Sequence, residues 1–118
     1  TYIDDIYNLA DLLISQDDIR LIERKDYIKN PKENGYRSLH LILEIPIFLL
    51  NEKKYMRVEV QLRTVAMDFW ASLEHKIYYK FEGHAPEYIS SDLKECADMI
   101  AALDEKMLSL NEAIQAYI

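Results

Sequence analysis

Residues Tyr55 to Arg63 read YMRVEVQLR, and Met56, Val58, Val60 and Leu62 alternate there with Arg57, Glu59, Gln61 and Arg63. Strict alternation of apolar and polar residues predicts a strand with one face on a core and the other open to solvent or ligand. The open face is a ladder of guanidinium, carboxylate, amide and guanidinium. Such a row can grip a phosphorylated ligand, and it can also be a charged but idle sheet surface. Its neighbours have to decide.

The same period runs from Ser38, with Leu39, Leu41, Leu43 and Ile45 on one side and Ser38, His40, Ile42 and Glu44 on the other. Pairing of this segment with Tyr55 to Arg63 across a turn at Asn51 to Lys54 predicts an antiparallel hairpin. Its two polar faces then coincide. His40 is expected beside Glu59 and Gln61, either as part of a site or as a histidine merely hydrogen-bonded at a sheet rim.

After Arg63 the period lengthens to about 3.6, and Thr64 is a suitable N-cap for a helix over Val65 to Lys80. Ala66, Phe69, Trp70, Leu73 and Ile77 form its expected core stripe. Asp68, Ser72, His75 and Tyr79 fall on another face, continuous with the ladder. A strand feeding directly into a helix places a strand end and a helix amino terminus at one sheet edge, where α/β proteins commonly bind phosphates.

Upstream, Ile19 to Ile22 reads as a short strand and Glu23 to Arg37 as a loop, turned by Asn30-Pro31 and Asn34-Gly35. Between Arg24 and Arg37, Arg24, Lys25, Lys29, Lys32 and Arg37 stand against only Asp26 and Glu33. This makes a local cationic patch on a chain of net charge −7. An acidic balance disfavours a protein that coats nucleic acid through its overall field, whereas anionic small molecules suit a local patch.

At the amino-terminal side, Ile3 to Ser15 places Ile3, Ile6, Tyr7, Ala10, Leu13 and Ile14 at helical spacing, with Asp4 and Asp5 in the first turn. A chain opening on a helix, with no strand before it, predicts that the start of the domain lies outside these residues. At the other end, Phe81 to Ser91 reads as a connection, and Ser90 or Ser91 is the expected cap of a last helix. Cys96, Ile100, Leu103, Met107, Leu110, Ile114 and Tyr117 then follow spacings of four and three, a heptad-like seam. It fits a helix packed on its own domain and a helix pairing with another subunit equally well. Cys96 on that seam is expected to be a small core residue.

The 118 residues amount to one domain or a piece of one, with enough apolar residues, 50%, for a two-layer core. The longest apolar run, LILEIPIFLL, is broken by Glu44 and Pro46, so no membrane span is expected. A single cysteine permits no internal disulfide. With no cationic leader and cleavage site at its start, the chain is expected in a reducing, cytoplasmic setting. There is no glycine-rich phosphate loop, no GxSxG elbow and no paired Cys or His spacing for a transition metal. Phosphate binding must rest on side chains and helix ends, and Glu59 is the best-placed ligand for a hard divalent ion accompanying a polyphosphate.

Three segments together resemble a known family. DYIKNPKENGYRSLH (Asp26 to His40), VEVQLRT (Val58 to Thr64) and AMDFWASLEHKIYYK (Ala66 to Lys80) are similar, in order and spacing, to the synthetase domain of RelA/SpoT proteins. The short stand-alone alarmone synthetases are the nearer likeness. The resemblance implies an α/β (α+β), nucleotidyltransferase-like fold, a mixed sheet with flanking helices and a long C-terminal helix. It implies transfer of the β,γ-pyrophosphate of ATP to the 3′-hydroxyl of GTP or GDP, with Mg²⁺.

Carried over position by position, the resemblance makes Tyr36 the platform for guanine and Glu59 the residue that assists the metal and activates the 3′-hydroxyl. Gln61 and His40 line the acceptor site, with Ser38 beside them, and Asp68 can read the guanine edge. Lys25, Lys29, Lys32, Arg37 and Arg63 are the local candidates for phosphate, Arg37 and Lys32 foremost. Glu23, Arg24, Lys25 and Asp26 mix the basic and acidic signatures of the long family members, so no preference between GTP and GDP follows.

The family's arginine- and lysine-rich ATP-binding segment and its metal-binding aspartate precede the region matched here. Residues 1–118 are therefore expected to be the C-terminal portion of one synthetase domain, inactive alone, with 91–118 a helix available for oligomerisation. Homo-oligomers, tetramers among them, are what the resemblance implies. Two other readings stay open: a non-catalytic oligomerisation or regulatory module, and pyrophosphate transfer to the 3′ end of a tRNA.

Overall fold

The computed structural model describes residues 1–117. Its elements run α1 (Ile3–Ile14), β1 (Arg20–Asp26), β2 (Leu39–Phe48), β3 (Lys53–Leu62), α2 (Val65–Phe81) and α3 (Glu87–Gln115). The fold is α+β. The three strands form one antiparallel sheet in the order β1-β2-β3, so β2 lies between the other two.

Alternation in β2 separates its two sides. Leu39, Leu41 and Leu43 are fully buried and meet Ile6 and Ala10 of α1 and Met67 of α2, with Val58, Val60 and Leu62 of β3 packed around them. Burial of three leucines contributes roughly 1.5–3 kcal/mol each and fixes the register, because a slip by one residue would turn them to solvent. The stripe predicted for α1 is the one that packs here. A second cluster, of Trp70, Leu93 and Ala97, joins α2 to α3 with Tyr36, Ile77 and Ile100 at its margin. The Trp70 indole N–H donates to the Leu93 carbonyl at 2.8 Å, which fixes one helix against the other.

The hairpin turn falls at residues 49–52, not at Asn51 to Lys54, because Phe48 pairs with Lys53. Four further details differ from the sequence reading. First, β1 continues through Glu23, Arg24 and Lys25 to Asp26, where a loop was expected. It is an edge strand exposed along almost its whole length, so it carries no alternation to read. Second, α3 begins at Glu87 with Pro86 as N-cap, not at Ser90 or Ser91. Proline is tolerated at a helix start because the N–H it lacks has no partner there anyway.

Third, α2 buries Met67 and Trp70, while Phe69 and Leu73 of the expected stripe are exposed. Fourth, α3 buries Leu93, Ala97 and Asp104, and the heptad-like seam, apart from Ile100, lies on another face. Cys96 is exposed, as are Leu103, Met107, Leu110, Ile114 and Tyr117. Among the described residues no helix is long and apolar enough to cross a membrane.

Candidate functional site

Register decides which side chains share the open face of the sheet. His40 stands opposite Gln61, Ile42 opposite Glu59 and Glu44 opposite Arg57. On the far side of β2, Lys25 is opposite His40 and Glu23 opposite Ile42, after an irregularity between Leu21 and Glu23. Directly opposed residues point the same way. The sheet therefore presents cations, carboxylates, an amide and an imidazole to one space.

The hub of that face is the Tyr36 hydroxyl. It accepts from Ser38 Oγ at 3.0 Å and from Arg63 Nη2 at 2.9 Å, and lies 2.9 Å from His40 Nε2. With both acceptor positions filled, its own proton goes to His40 Nε2, the nearer of two acceptors, Gln61 Oε1 standing at 3.5 Å. The His40 proton then belongs on Nδ1, which faces Glu59 Oε1 at 3.2 Å. Gln61 Nε2 donates to the same Oε1 at 3.4 Å, and Arg63 donates to Gln61 Oε1. Tyr36, His40, Glu59, Gln61 and Arg63 thus close a ring of hydrogen bonds. Glu59 Oε2 remains outside it.

Burial pushes the His40 imidazole below its usual value, Glu59 pulls the other way, and Lys32, Arg63 and Lys25 add to the depression. A neutral ring is what the hydrogen-bond assignment requires. The Lys32 ammonium lies 5.3 Å from the Tyr36 ring centroid and 5.0 Å from that of Tyr27. The Arg63 guanidinium lies 5.8 Å from the Tyr36 ring and reaches Asp68 at 3.3 Å. Of the α2 face expected to continue the ladder, Asp68 meets it in this way. His75 and Tyr79 meet each other instead, with ring centroids 4.5 Å apart. Lys25 pairs with Glu23 at 3.7 Å, and Arg57 and Arg20 flank Glu44 at 4.0 and 3.7 Å.

Arg37 does not join this face. It lies on the core side with Met67, Trp70, Ala97 and Ile100, its Nη2 reaching the Ile28 carbonyl at 3.5 Å. Nε and Nη1 are buried with no partner. Strand parity explains the placement: Ser38 and His40 point to the ladder, so Arg37 and Leu39 point away. Among the phosphate candidates, Lys25, Lys32 and Arg63 are gathered at the ladder and Arg37 is not.

The segment that carries Lys29, Lys32 and Tyr36 is anchored at Asp26. Its carboxylate accepts from the Ile28 and Lys29 amides, both at 3.0 Å, and from the Tyr7 hydroxyl at 2.8 Å. Burial works to raise the Asp26 pKa, but the Lys29 amide, the Tyr7 hydroxyl and the Ile28 amide outweigh it and hold the carboxyl below its usual range. Tyr7 is pushed up to about 12, by burial first and then by Asp26. Further along, Gly35 sits at φ +100, where a Cβ would come within 2.5 Å of Ala97 Cβ. Only glycine lets the chain turn there and pass this close to α3.

Three contributors to this face were not among the site residues expected from the sequence. Tyr27 meets the His40 ring edge-on, centroids 5.0 Å apart, and Trp70 lies tilted 6.5 Å from Tyr36. Glu23 enters the ladder because β1 is longer than expected. Tyr27 is contiguous with the anchor Asp26, a local signal that the loop reading hid.

For a divalent ion, Glu59 is a half-exposed oxygen donor. Among the described residues no group of three or more His, Cys, Asp or Glu converges on a point that could hold one. These residues alone do not fit a complete Mg²⁺ site, since a hard cation asks for about six oxygens. Two clefts of about 520 and 540 Å³, one lined by Glu33, Ile77, Tyr78 and Lys94 and the other by Phe69, Ile100, Asp104 and Met107, flank α2 and α3 away from the ladder.

The family model described as "Region found in RelA / SpoT proteins" matches residues 1–84. The chain belongs to the RelA/SpoT family. This RelA/SpoT chain is 51% identical over 114 residues to the GTP pyrophosphokinase YwaC of Bacillus subtilis, covering 97% of the chain and 54% of that protein. It is 36% identical over 114 residues to the GTP pyrophosphokinase YjbM of the same organism, again covering 97% and 54%.

Among solved structures it is similar to the small alarmone synthetase 2 of B. subtilis, with a TM-score of 0.93 and 51% identity, covering 96% of this chain and 61% of that one. It is also similar to the B. subtilis small alarmone synthetase 1 bound to its product pppGpp, with a TM-score of 0.90 and 36% identity, covering 98% and 59%. The RelA/SpoT chain spans about half the length of the curated relatives it matches.

Proposed function

We propose that this chain carries the guanosine-accepting half of a GTP pyrophosphokinase, in which the β,γ-pyrophosphate of ATP passes to the 3′-hydroxyl of GTP or GDP. The observation that carries the reading is the closed ring of Tyr36, His40, Glu59, Gln61 and Arg63 on an open sheet face. The likeness to a synthetase bound to pppGpp supports it.

In this reading guanine stacks on Tyr36, a flat face whose hydroxyl is held by three neighbours, with the Lys32 ammonium beside it. Asp68, turned toward the same edge by Arg63, accepts from the base. Glu59 Oε1 is occupied by His40 and Gln61, which leaves Oε2 to take the 3′-hydroxyl proton as the oxygen attacks the β-phosphorus of ATP. AMP leaves. Lys25 and Arg63 offset charge on the phosphates, the lysine as a point charge and the arginine as a fork.

Bound Mg²⁺ would neutralise charge on the polyphosphate. Glu59 is the ligand these residues offer, and the others would come from phosphate oxygens and from outside the described residues. ATP binding likewise rests on residues outside them. The net charge of −7 weighs against tRNA as acceptor. The bare seam of α3, formed by Leu103, Met107, Leu110 and Ile114, favours a second copy of the protein as its cover, which adds homo-oligomerisation to the activity without replacing it.

Incubation with ATP, GTP and Mg²⁺, followed by separation of nucleotides, tests the reading. The full-length protein is expected to yield AMP and the guanosine 3′-pyrophosphate, and the 118-residue chain little or none. Robust transfer by the 118 residues alone would contradict the half-site account. No transfer by the full-length protein would contradict the activity.

A further inference from the structure

Asp104 is a carboxylate only 2% exposed, set in α3 on the side away from the ladder. Burying a carboxylate is costly unless it is well bonded, so its one recorded hydrogen-bond partner matters. Thr64 Oγ donates to Asp104 Oδ2 at 2.7 Å. The same Thr64 oxygen accepts the Met67 amide at 3.2 Å, which makes it the N-cap of α2. Thr64 is itself only 1% exposed. Its hydroxyl proton is therefore committed to Asp104, and its lone pair to the helix.

Two residues beside this cap reach the open face. Arg63, immediately before it, bonds the Tyr36 hydroxyl at 2.9 Å, and Asp68, in the first turn of α2, meets Arg63 at 3.3 Å. Elsewhere α3 supports the same region. Ala97 lies against Gly35 next to Tyr36, and the Leu93 carbonyl receives the Trp70 indole. We propose that Asp104 is a positioning residue: through the Thr64 hydroxyl it fixes the start of α2, and with it the placement of Arg63 and Asp68 on the guanosine side. The functional half of this inference rests on the proposed acceptor site. The Asp104–Thr64 coupling does not.

The test uses the full-length protein with Asp104→Ala, Asp104→Asn and Thr64→Val. Asparagine keeps an oxygen for the Thr64 hydroxyl without the charge, so it separates the bond from the burial of charge. Two readouts are taken: amide hydrogen exchange at Met67 and Asp68, and KM for each nucleotide separately.

Asp104→Ala is expected to speed exchange in the first turn of α2 and to raise KM for the guanine nucleotide about tenfold, with KM for ATP unchanged, because the Thr64 cap loses the group that orients it. Asp104→Asn should restore both toward wild type. Asp104→Ala added to Thr64→Val should cost little beyond Thr64→Val alone, because both remove one connection. Unchanged exchange at Met67 and Asp68 in Asp104→Ala would overturn the coupling. Equal rises in both KM values, or independent additive effects of the two substitutions, would overturn the positioning role. Faster exchange together with no synthetase activity in the wild-type protein would count against the acceptor-site reading while leaving the coupling standing.

Discussion

The ring around Tyr36 and the seam of α3 are the two parts of this molecule richest in groups with something left to bind. They differ in kind. At the ring most polar atoms hold one another, Tyr36 with Ser38, His40 and Arg63 and Glu59 with His40 and Gln61, while Glu59 Oε2 and the buried Arg63 Nε stay unengaged. Along α3 the side chains of Leu103, Met107, Leu110 and Ile114 are apolar and bare, Leu110 56% and Ile114 67% exposed. The first is pre-organised for a small polar ligand, because its groups are already ordered before the ligand arrives. The second has no internal partner and gains free energy only by being covered. On the proposed reading the ring serves chemistry and the seam assembly, and α3 contributes to both through neighbouring faces.

Substitutions in the full-length protein can break that separation. The largest effect is expected from Glu59→Gln, which removes the base while keeping the shape. Transfer should fall about 10²–10⁴-fold with guanine-nucleotide affinity and melting temperature nearly unchanged, as read by product formation, calorimetric titration and thermal melts. Collapse of the fold would instead make Glu59 a structural residue.

Tyr36→Ala comes next. Loss of a stacking face should weaken guanine-nucleotide binding by about 1–3 kcal/mol, whereas Tyr36→Phe keeps the ring and should cost less. Equal losses in the two would place the contribution in the hydroxyl network, not in the face. Calorimetry distinguishes them.

At the seam, Leu103→Glu with Leu110→Glu should lower the mass measured by light scattering and change nucleotide affinity less than about threefold. Loss of affinity in parallel with mass would join the two regions that the structure separates.

The smallest effect is the pH dependence of stability. His40 has a folded pKa below its usual 6.5, so the unfolded chain takes up the proton first. Its contribution is fully present above about pH 6.5 and is lost as pH falls from there toward the folded value. Asp26, also depressed, acts in a separate window. Its contribution is present above 3.8 and is lost as pH falls through the folded pKa. Urea melts near pH 7.5 and pH 5.5 should show a loss in wild type that His40→Gln removes. An identical slope in the variant would remove His40 as its source.

Much of this was legible in the sequence because alternation of side chains is a direct record of the two faces of a strand. The leucines of β2 and the ladder of β3 announced both the core and the open face, and pairing then placed His40 beside Glu59 and Gln61. The change of period at Thr64 located α2 and its cap. What escaped lacked such a record. The second half of β1, from Glu23 to Asp26, belongs to an exposed edge strand and reads as a polar loop.

That Arg37 lies off the ladder is not apparent in a basic stretch unless parity is carried back one residue from Ser38. In α3, two apolar stripes overlap in sequence, and only packing decides which is covered. The buried stripe, with Leu93, Ala97 and Asp104, was the less conspicuous because it contains a small residue and a carboxylate.

The most direct test of the acceptor-site account is a crystal structure of the full-length protein with GTP bound. The account predicts the guanine ring against the face of Tyr36, beside Lys32, with the ribose 3′-hydroxyl within hydrogen-bond distance of Glu59. Guanine bound elsewhere, for instance in the cleft between Ile77, Tyr78 and Lys94, or a 3′-hydroxyl turned away from Glu59, would contradict it.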